Sequence, residues 1–331
     1  MAVKISGKNV LGLFLNYKTL NRVMLFAILV IEFAVFSQLT PYFFRLNNLF
    51  SVGRNIANLG IVAIGQTMCI LTGGFDLSVG GSAALAGVVT GWFASSMFGN
   101  QPYGIAIFLG MGTVLLVGII NGFLISKVKI NPFIATMSMN FILGGAVILI
   151  TRNAITVNTP AFKFIGATSF GSIKFPLPIV ILIGLYIIFG FILKYTSFGR
   201  RMYATGGNRD AALISGINVD RSIFFTYVLS SVLAGFGGIL LASRIATANP
   251  NIGSSYAMES IAAAVLGGTA LSGGEGNIWG AFLGVLVTGL LSNGLIMIGV
   301  SQAWRDIATG IVLILAIILQ ITSKNSKGMA A

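Results

Sequence analysis

Four side chains able to meet a polar or charged solute lie in or beside long apolar runs: Asp76, Asn140, Glu259 and Asn293. Asn58, Gln66, Asn121, Glu32 and Glu275 share that setting. Polar groups at membrane depth are costly to expose to lipid, so they face other helices or a wet cavity. Two chemistries suit them: hydrogen bonding between helices, and passage of a polar solute. Catalysis does not. The chain has no histidine, which removes imidazole ligands and the commonest general base. No HExxH, GxSxG, CxxC or paired-carboxylate pattern is present. A GxxxxGK loop ending in Ser or Thr is also absent, because Gly7-Lys8 is followed by Asn9 and lacks the upstream glycine. The chain therefore has no phosphate loop of its own for ATP.

A second constellation is polar and basic. Residues 196–221 read TSFGRRMYATGGNRDAALISGINVDR. Asn208 is placed to cap a helix, Asp210 falls in its first turn, and Gly216 suits the residue after its end. A helix of about seven residues does not hold itself in water, so the rest of the loop or a partner must hold it. Ala211 with Ser215, and Ala212 with Gly216, form a stripe of small residues at a spacing of four. Leu213 and Ile217 form an apolar ridge beside it. That pairing suits docking into a groove of a soluble protein; the plainer interpretation is a solvated connector.

The elements around these residues are membrane spans. The 331 residues are 56% hydrophobic and only 8% charged, with a mean hydropathy of +0.96, whereas soluble domains carry about 25% charge. An all-α polytopic membrane protein is expected, with about ten helices near 23–39, 51–71, 78–97, 103–126, 132–151, 176–195, 222–243, 258–271, 277–299 and 304–321. The first run, Val23–Leu39, has the look of a retained span rather than a cleaved leader. The eighth is too short for a straight crossing and is expected to be a half-helix or a broken one, packed inside protein. The net charge of +13 is spread between apolar runs, which points to membrane topology rather than nucleic acid. An N-in, C-in arrangement puts 13 of the 20 basic residues inside and 7 outside, with the 152–175 loop outside. The one cysteine, Cys69, excludes an intrachain disulfide.

Residues 61–80 and 261–280 echo one another at an offset of 200. Ile61/Ile261, Ala63/Ala263, Leu71/Leu271, Gly73/Gly273, Gly74/Gly274 and Gly80/Gly280 are identical. Each copy passes through a Gly-Gly break with one acid nearby. Such breaks interrupt a helix or allow close backbone packing, and interrupted helices often line a transport path.

Several motifs in order resemble the ribose-type permease subunits of bacterial ABC importers, across roughly residues 35–320. They are Ile70-Leu71-Thr72-Gly73-Gly74-Phe75-Asp76-Leu77-Ser78-Val79-Gly80, Pro132-Phe133-Ile134-Ala135-Thr136, Gly206-Gly207-Asn208 with Ser215-Gly216-Ile217, and Ile261-Ala262-Ala263 with Leu266-Gly267-Gly268-Thr269 and Ser272-Gly273-Gly274. The resemblance implies a single permease domain over 1–331 in the bacterial inner membrane, with 196–221 as its cytoplasmic coupling loop. It implies a cytoplasmic ABC ATPase holding ATP and Mg, a periplasmic or extracellular solute-binding protein, and a second permease copy, identical or a sister. It also makes Gly206–Ile217 the coupling helix region. Many relatives carry Arg-Gly where this chain has Gly144-Gly145, a basic residue at Glu275, and Asp at Glu259. These departures lie in or near the pore half and leave the substrate open among pentoses, hexoses, polyols and related sugars.

Two other classes compete. A stand-alone secondary transporter would need an embedded acid coupled to an ion, for which Glu32 and Asp76 are candidates; it has no use for a docking helix. A membrane-embedded enzyme is disfavoured by the missing histidine and catalytic pairing.

Overall fold

The structure is a computed structural model and describes residues 17–95 and 101–311, with Ile314 and Ile318. The N-terminal lysines Lys4 and Lys8, the C-terminal Lys324 and Lys327, and much of the expected tenth span beyond residue 311 lie outside the described residues. The elements in chain order are α1 (Tyr17–Leu39), α2 (Leu46–Leu71), α3 (Val79–Ala94), α4 (Tyr103–Ser126), α5 (Pro132–Ile150), β1 (Ile155–Thr156), α6 (Pro160–Ala167), β2 (Ser169–Phe170), β3 (Phe175–Pro176), α7 (Leu177–Tyr195), α8 (Ser197–Gly207), α9 (Arg209–Ile214), α10 (Val219–Ile245), β4 (Thr247–Ala248), α11 (Tyr256–Leu266) and α12 (Ile278–Met297). Residues 302–311 are also helical.

Local sequence explains where many helices start. Asn131, Thr159, Thr196, Asn208, Asn218 and Asn277 each accept a backbone N–H of the first turn that follows. Pro132 and Pro160 fill the first helical position, where an N–H has no intrahelical partner in any case. Among the described residues five helices, α4, α5, α7, α10 and α12, are long and apolar enough to cross a membrane. Their outward faces carry exposed apolar side chains such as Phe108, Phe141, Leu149 and Phe191, as lipid contact requires.

The interior is organised on α2 and α10. Every residue of α2 from Ile56 to Leu71 is buried. The 27-residue α10 packs on α2, α3, α4 and α6. Small residues allow these helices to approach closely. A methyl group at Gly238 of α10 would collide with the backbone of Ala83 in α3, so that crossing admits no side chain.

The 27 residues of α10 extend about 40 Å, and the two long connections lie at opposite ends of it. At its start Asp220 pairs with Lys127 and Lys129 from the α4–α5 loop, beside α9. At its end Ser243 Oγ donates to the Phe162 carbonyl at 2.6 Å and accepts from Gly166 N at 2.9 Å. Residues 152–175 are thus ordered structure rather than an open loop. They hold β1, α6 and β2; β2 pairs with β3, and β1 pairs with β4 so that Ile155 faces Ala248. The expected eighth span ends early. Helix α11 stops at Leu266, and Gly268 turns the chain in the left-handed region at φ +86°. Its 11 residues cover about 17 Å, half a bilayer core of about 30 Å.

Candidate functional site

Helix α9 is capped at both ends as its sequence requires. Asn208 Oδ1 accepts from Ala211 N at 3.0 Å. At the other end Gly216 has φ +77°. Its N–H donates to the Leu213 carbonyl at 2.9 Å, and Ile217 N donates to the Ala212 carbonyl at 3.0 Å. That paired arrangement closes a helix and terminates it in a fixed direction. Ser215 Oγ donates to the Ala211 carbonyl at 2.8 Å.

The faces of α9 differ from expectation. Ala212 is 3% exposed and packs with Cys69, Ile125, Ala135, Val219, Ile223 and Tyr227 of its own chain. Ile217 leans on the same cluster. The stripe and the ridge are therefore each split. Ala212 and Ile217 anchor the helix inward, while Ala211, Ser215 and Gly216 stay outside. The outward apolar pair is Leu213, 56% exposed, with Ile214, 89% exposed. Two neighbouring apolar side chains on a polar, basic loop form a knob that nothing among the described residues covers.

The loop also contains α8, which the sequence reading did not separate from its surroundings. Its end rests on both Gly-Gly breaks. Gly274 N donates to the Leu71 carbonyl at 2.9 Å. A methyl at Gly206 would collide with that carbonyl and with the Gly274 amide. One at Gly273 would meet Gly73 Cα and N, each at 2.9 Å, and one at Gly274 would collide with Gly207. Tyr203 Oη, one turn back, donates to the Gly276 carbonyl at 3.1 Å. Gly73 and Gly273 share a left-handed backbone, φ +80° and +82°, open to glycine at little cost. The two copies of the sequence echo thus meet, with α8 between them and α9. Gly206 and Gly207 are packing elements of this junction.

The embedded polar residues fall into separate neighbourhoods. Asp76 is fully buried. It accepts from Ser78 N at 3.0 Å, from Ser78 Oγ at 2.6 Å and from Ser230 Oγ of α10 at 2.7 Å. Asn121 of α4 donates to Ser78 Oγ at 2.9 Å. Among the described residues no cation pairs with Asp76. Its carboxylate is held by neutral donors and ties the α2–α3 loop to α10. From α5, Thr136 Oγ accepts from Leu77 N and Asn140 Oδ1 from Gly81 N, both at 3.0 Å. Four apart on one helix face, they serve amides at the start of α3, where intrahelical partners are missing. Asn293 of α12 exchanges hydrogen bonds of 3.2 Å with Asn48 at the start of α2. Glu259 lies half-buried in the first turn of α11. Asp76 and Asn140 therefore converge on one helix start, and Asn293 does not join them. Thr136, Ser78, Ser230 and Tyr203 were not singled out among the candidate residues. Thr136 and Ser78 stood in quoted motifs and Tyr203 in the 196–221 stretch, whereas Ser230 has no local signal in its apolar run.

The family model described as "Branched-chain amino acid transport system / permease component" matches residues 48–317. The chain belongs to this permease family. The permease is 41% identical over 289 residues to the ribose import permease protein RbsC of Bacillus subtilis, covering 86% of the present chain and 88% of that relative. It is 36% identical over 299 residues to RbsC of Escherichia coli K12, covering 88% and 91%. It is 33% identical over 282 residues to the fructose import permease protein FrcC of Rhizobium meliloti, covering 83% and 78%. No solved structure matches the permease.

Proposed function

We propose that this chain is the membrane-spanning subunit of an ATP-driven importer for a monosaccharide in the bacterial inner membrane. Family membership supports import, and the relatives named for ribose and fructose support a sugar cargo. The observation that carries the ATP-driven reading is the α9 knob. A helix capped at both ends, anchored by Ala212 and exposing Leu213 and Ile214, is built to be gripped. The occupant is a cytoplasmic ATPase holding ATP and Mg.

The glycine junction supplies the connection. Force on α9 passes through Asn208 to the end of α8. It reaches both Gly-Gly loops through Gly206, with no flexible side chain between. Those loops lead into α3 and α12 and follow α2 and α11, so they can tilt helices on either side of a solute path. A binding protein delivers the sugar to the opposite end, formed by residues 152–175 and β4. A second permease copy, identical or a sister, completes the path. Of the four embedded candidates, Glu259 beside exposed Met258 on the half-length α11 is the one best placed to face the cargo. Asp76, Asn140 and Asn293 have their partners inside the chain and act as struts. Purification from the native membrane, with identification of what accompanies the chain, tests this reading. It requires a P-loop ATPase; a chain that purifies alone and transports alone refutes it.

A further inference from the structure

A cavity of about 940 Å³ opens where α7, α8 and α12 meet, on the α9 end of the bundle. Its floor and one wall are apolar: Gly190, Leu193, Phe282 and Leu283. The Trp279 ring lies over Gly190, with indole Nε1 3.0 Å from where a Cβ would stand. The rim is basic. Lys194, in the last turn of α7, and Arg200, in α8, both line the opening and are exposed. Arg200 spends one N–H on the Tyr195 carbonyl at 3.2 Å, which leaves most of its donors free. Lys194 Nζ sits 4.9 Å from the Tyr195 ring centroid. Neither is in an ion pair; among the described residues those belong to Asp220 with Lys127 and Lys129. Glu275, next to the lining residue Gly276, is exposed, and its backbone carbonyl is taken by Ala270 N.

From this we infer that the crevice is a site for an anionic phospholipid of the leaflet on the α9 side. Charge, depth and shape agree. Two unpaired cations stand at the end of a membrane-crossing helix, where phosphate headgroups lie, and basic pockets between such helices hold anionic lipid. Trp279, 44% exposed, stands at the polar–apolar boundary that indoles favour. The apolar floor suits an acyl chain and offers nothing to a free phosphate. Because α8 forms one wall and carries Gly206 in its last turn, a bound lipid would brace the junction. The inference concerns lipid and does not rest on the sugar or the ATPase.

The test uses Trp279 as the reporter. The permease has three tryptophans, so Trp92→Phe with Trp304→Phe leaves it alone. Quenching by phosphatidylglycerol brominated in its acyl chains is compared with that by brominated phosphatidylethanolamine, in mixed micelles with the purified chain. The expected result is half-quenching at about tenfold lower mole fraction for the anionic lipid. Lys194→Gln with Arg200→Gln should remove that preference without changing quenching by the zwitterionic lipid. Lys194→Arg with Arg200→Lys should keep it. If the double Gln variant does not fold, each single Gln change should cut the preference by about threefold. Equal quenching by both lipids, a preference surviving the Gln changes, or release of quenching by millimolar inorganic phosphate would each overturn the proposal.

Discussion

The N–H of Gly274 donates to the carbonyl of Leu71 at 2.9 Å, joining two breaks that lie 200 residues apart in nearly equivalent sequence. Gly206 closes over that bond so tightly that no methyl fits. Backbone meeting backbone in this way is stiff, which is what a transmission element between a docking helix and transmembrane helices requires.

Gly206 and Gly207 therefore separate cleanly by substitution. Gly206→Ala forces backbone to move, at a cost of about 1–3 kcal/mol. It should lower the melting temperature of the purified permease and impair transport. Gly207→Ala meets nothing within 4 Å and should stay within about 0.5 kcal/mol of the parent. Thermal unfolding of both variants in one detergent decides this; equal effects would mean that the junction is not tight.

Ala212 and Ile214 differ in the same way, two residues apart. Ala212→Trp cannot fit beside Tyr227 and Cys69, so it should destabilise the permease itself. Ile214→Ser alters a side chain that is 89% exposed. It should leave the fold intact and weaken ATPase association about tenfold. Size-exclusion stability and a binding titration read the two effects. An Ile214→Ser variant that binds normally would remove the knob from the coupling surface.

Much of this loop was legible in sequence, because caps are local. Asn208 and Gly216 were assignable from neighbours within four residues. The orientation of Ala212 was not, since a six-residue helix offers too little periodicity and small residues fit inside or out. The role of Gly206 rests on Leu71 and Gly274, contacts no local pattern encodes. The echo between 61–80 and 261–280 was visible, and Gly73 and Gly273 share their backbone angle. The half length of α11 was also expected, but its end at Leu266 was not, because the apolar run continues to Leu271. Asn140 and Asn293 were recognisable as membrane-depth amides, but their partners Gly81 and Asn48 appear only in the fold.

Asp76 distinguishes a strut from an ion-coupling acid. Asp76→Asn can still accept from Ser78 while its amide donates to Ser230 Oγ, so folding and uptake should persist. Asp76→Leu strands the Ser78 and Ser230 donors, at about 1–3 kcal/mol for each buried group left unpaired, and should destabilise the permease. Uptake assays at matched membrane levels check both. Loss of all uptake in a well-folded Asp76→Asn variant would assign the carboxylate a proton or ion.

The opposite placement of residues 152–175 and α9 is testable in a Cys69→Ser background. Lys163→Cys should react with an impermeant maleimide from outside intact cells. Ile214→Cys should react only once the membrane is opened. Labelling of both from one side would contradict the topology.

Sugar movement through this chain is expected to be driven by an ATPase seated on α9. The direct measurement is uptake of labelled ribose and fructose into proteoliposomes holding the permease with its binding protein outside, with and without the ATPase and ATP inside. Uptake of at least one sugar is expected only when the ATPase and ATP are both present, abolished by Leu213→Ser with Ile214→Ser. Uptake by the permease alone, driven by a proton or sodium gradient and indifferent to those two changes, would contradict it.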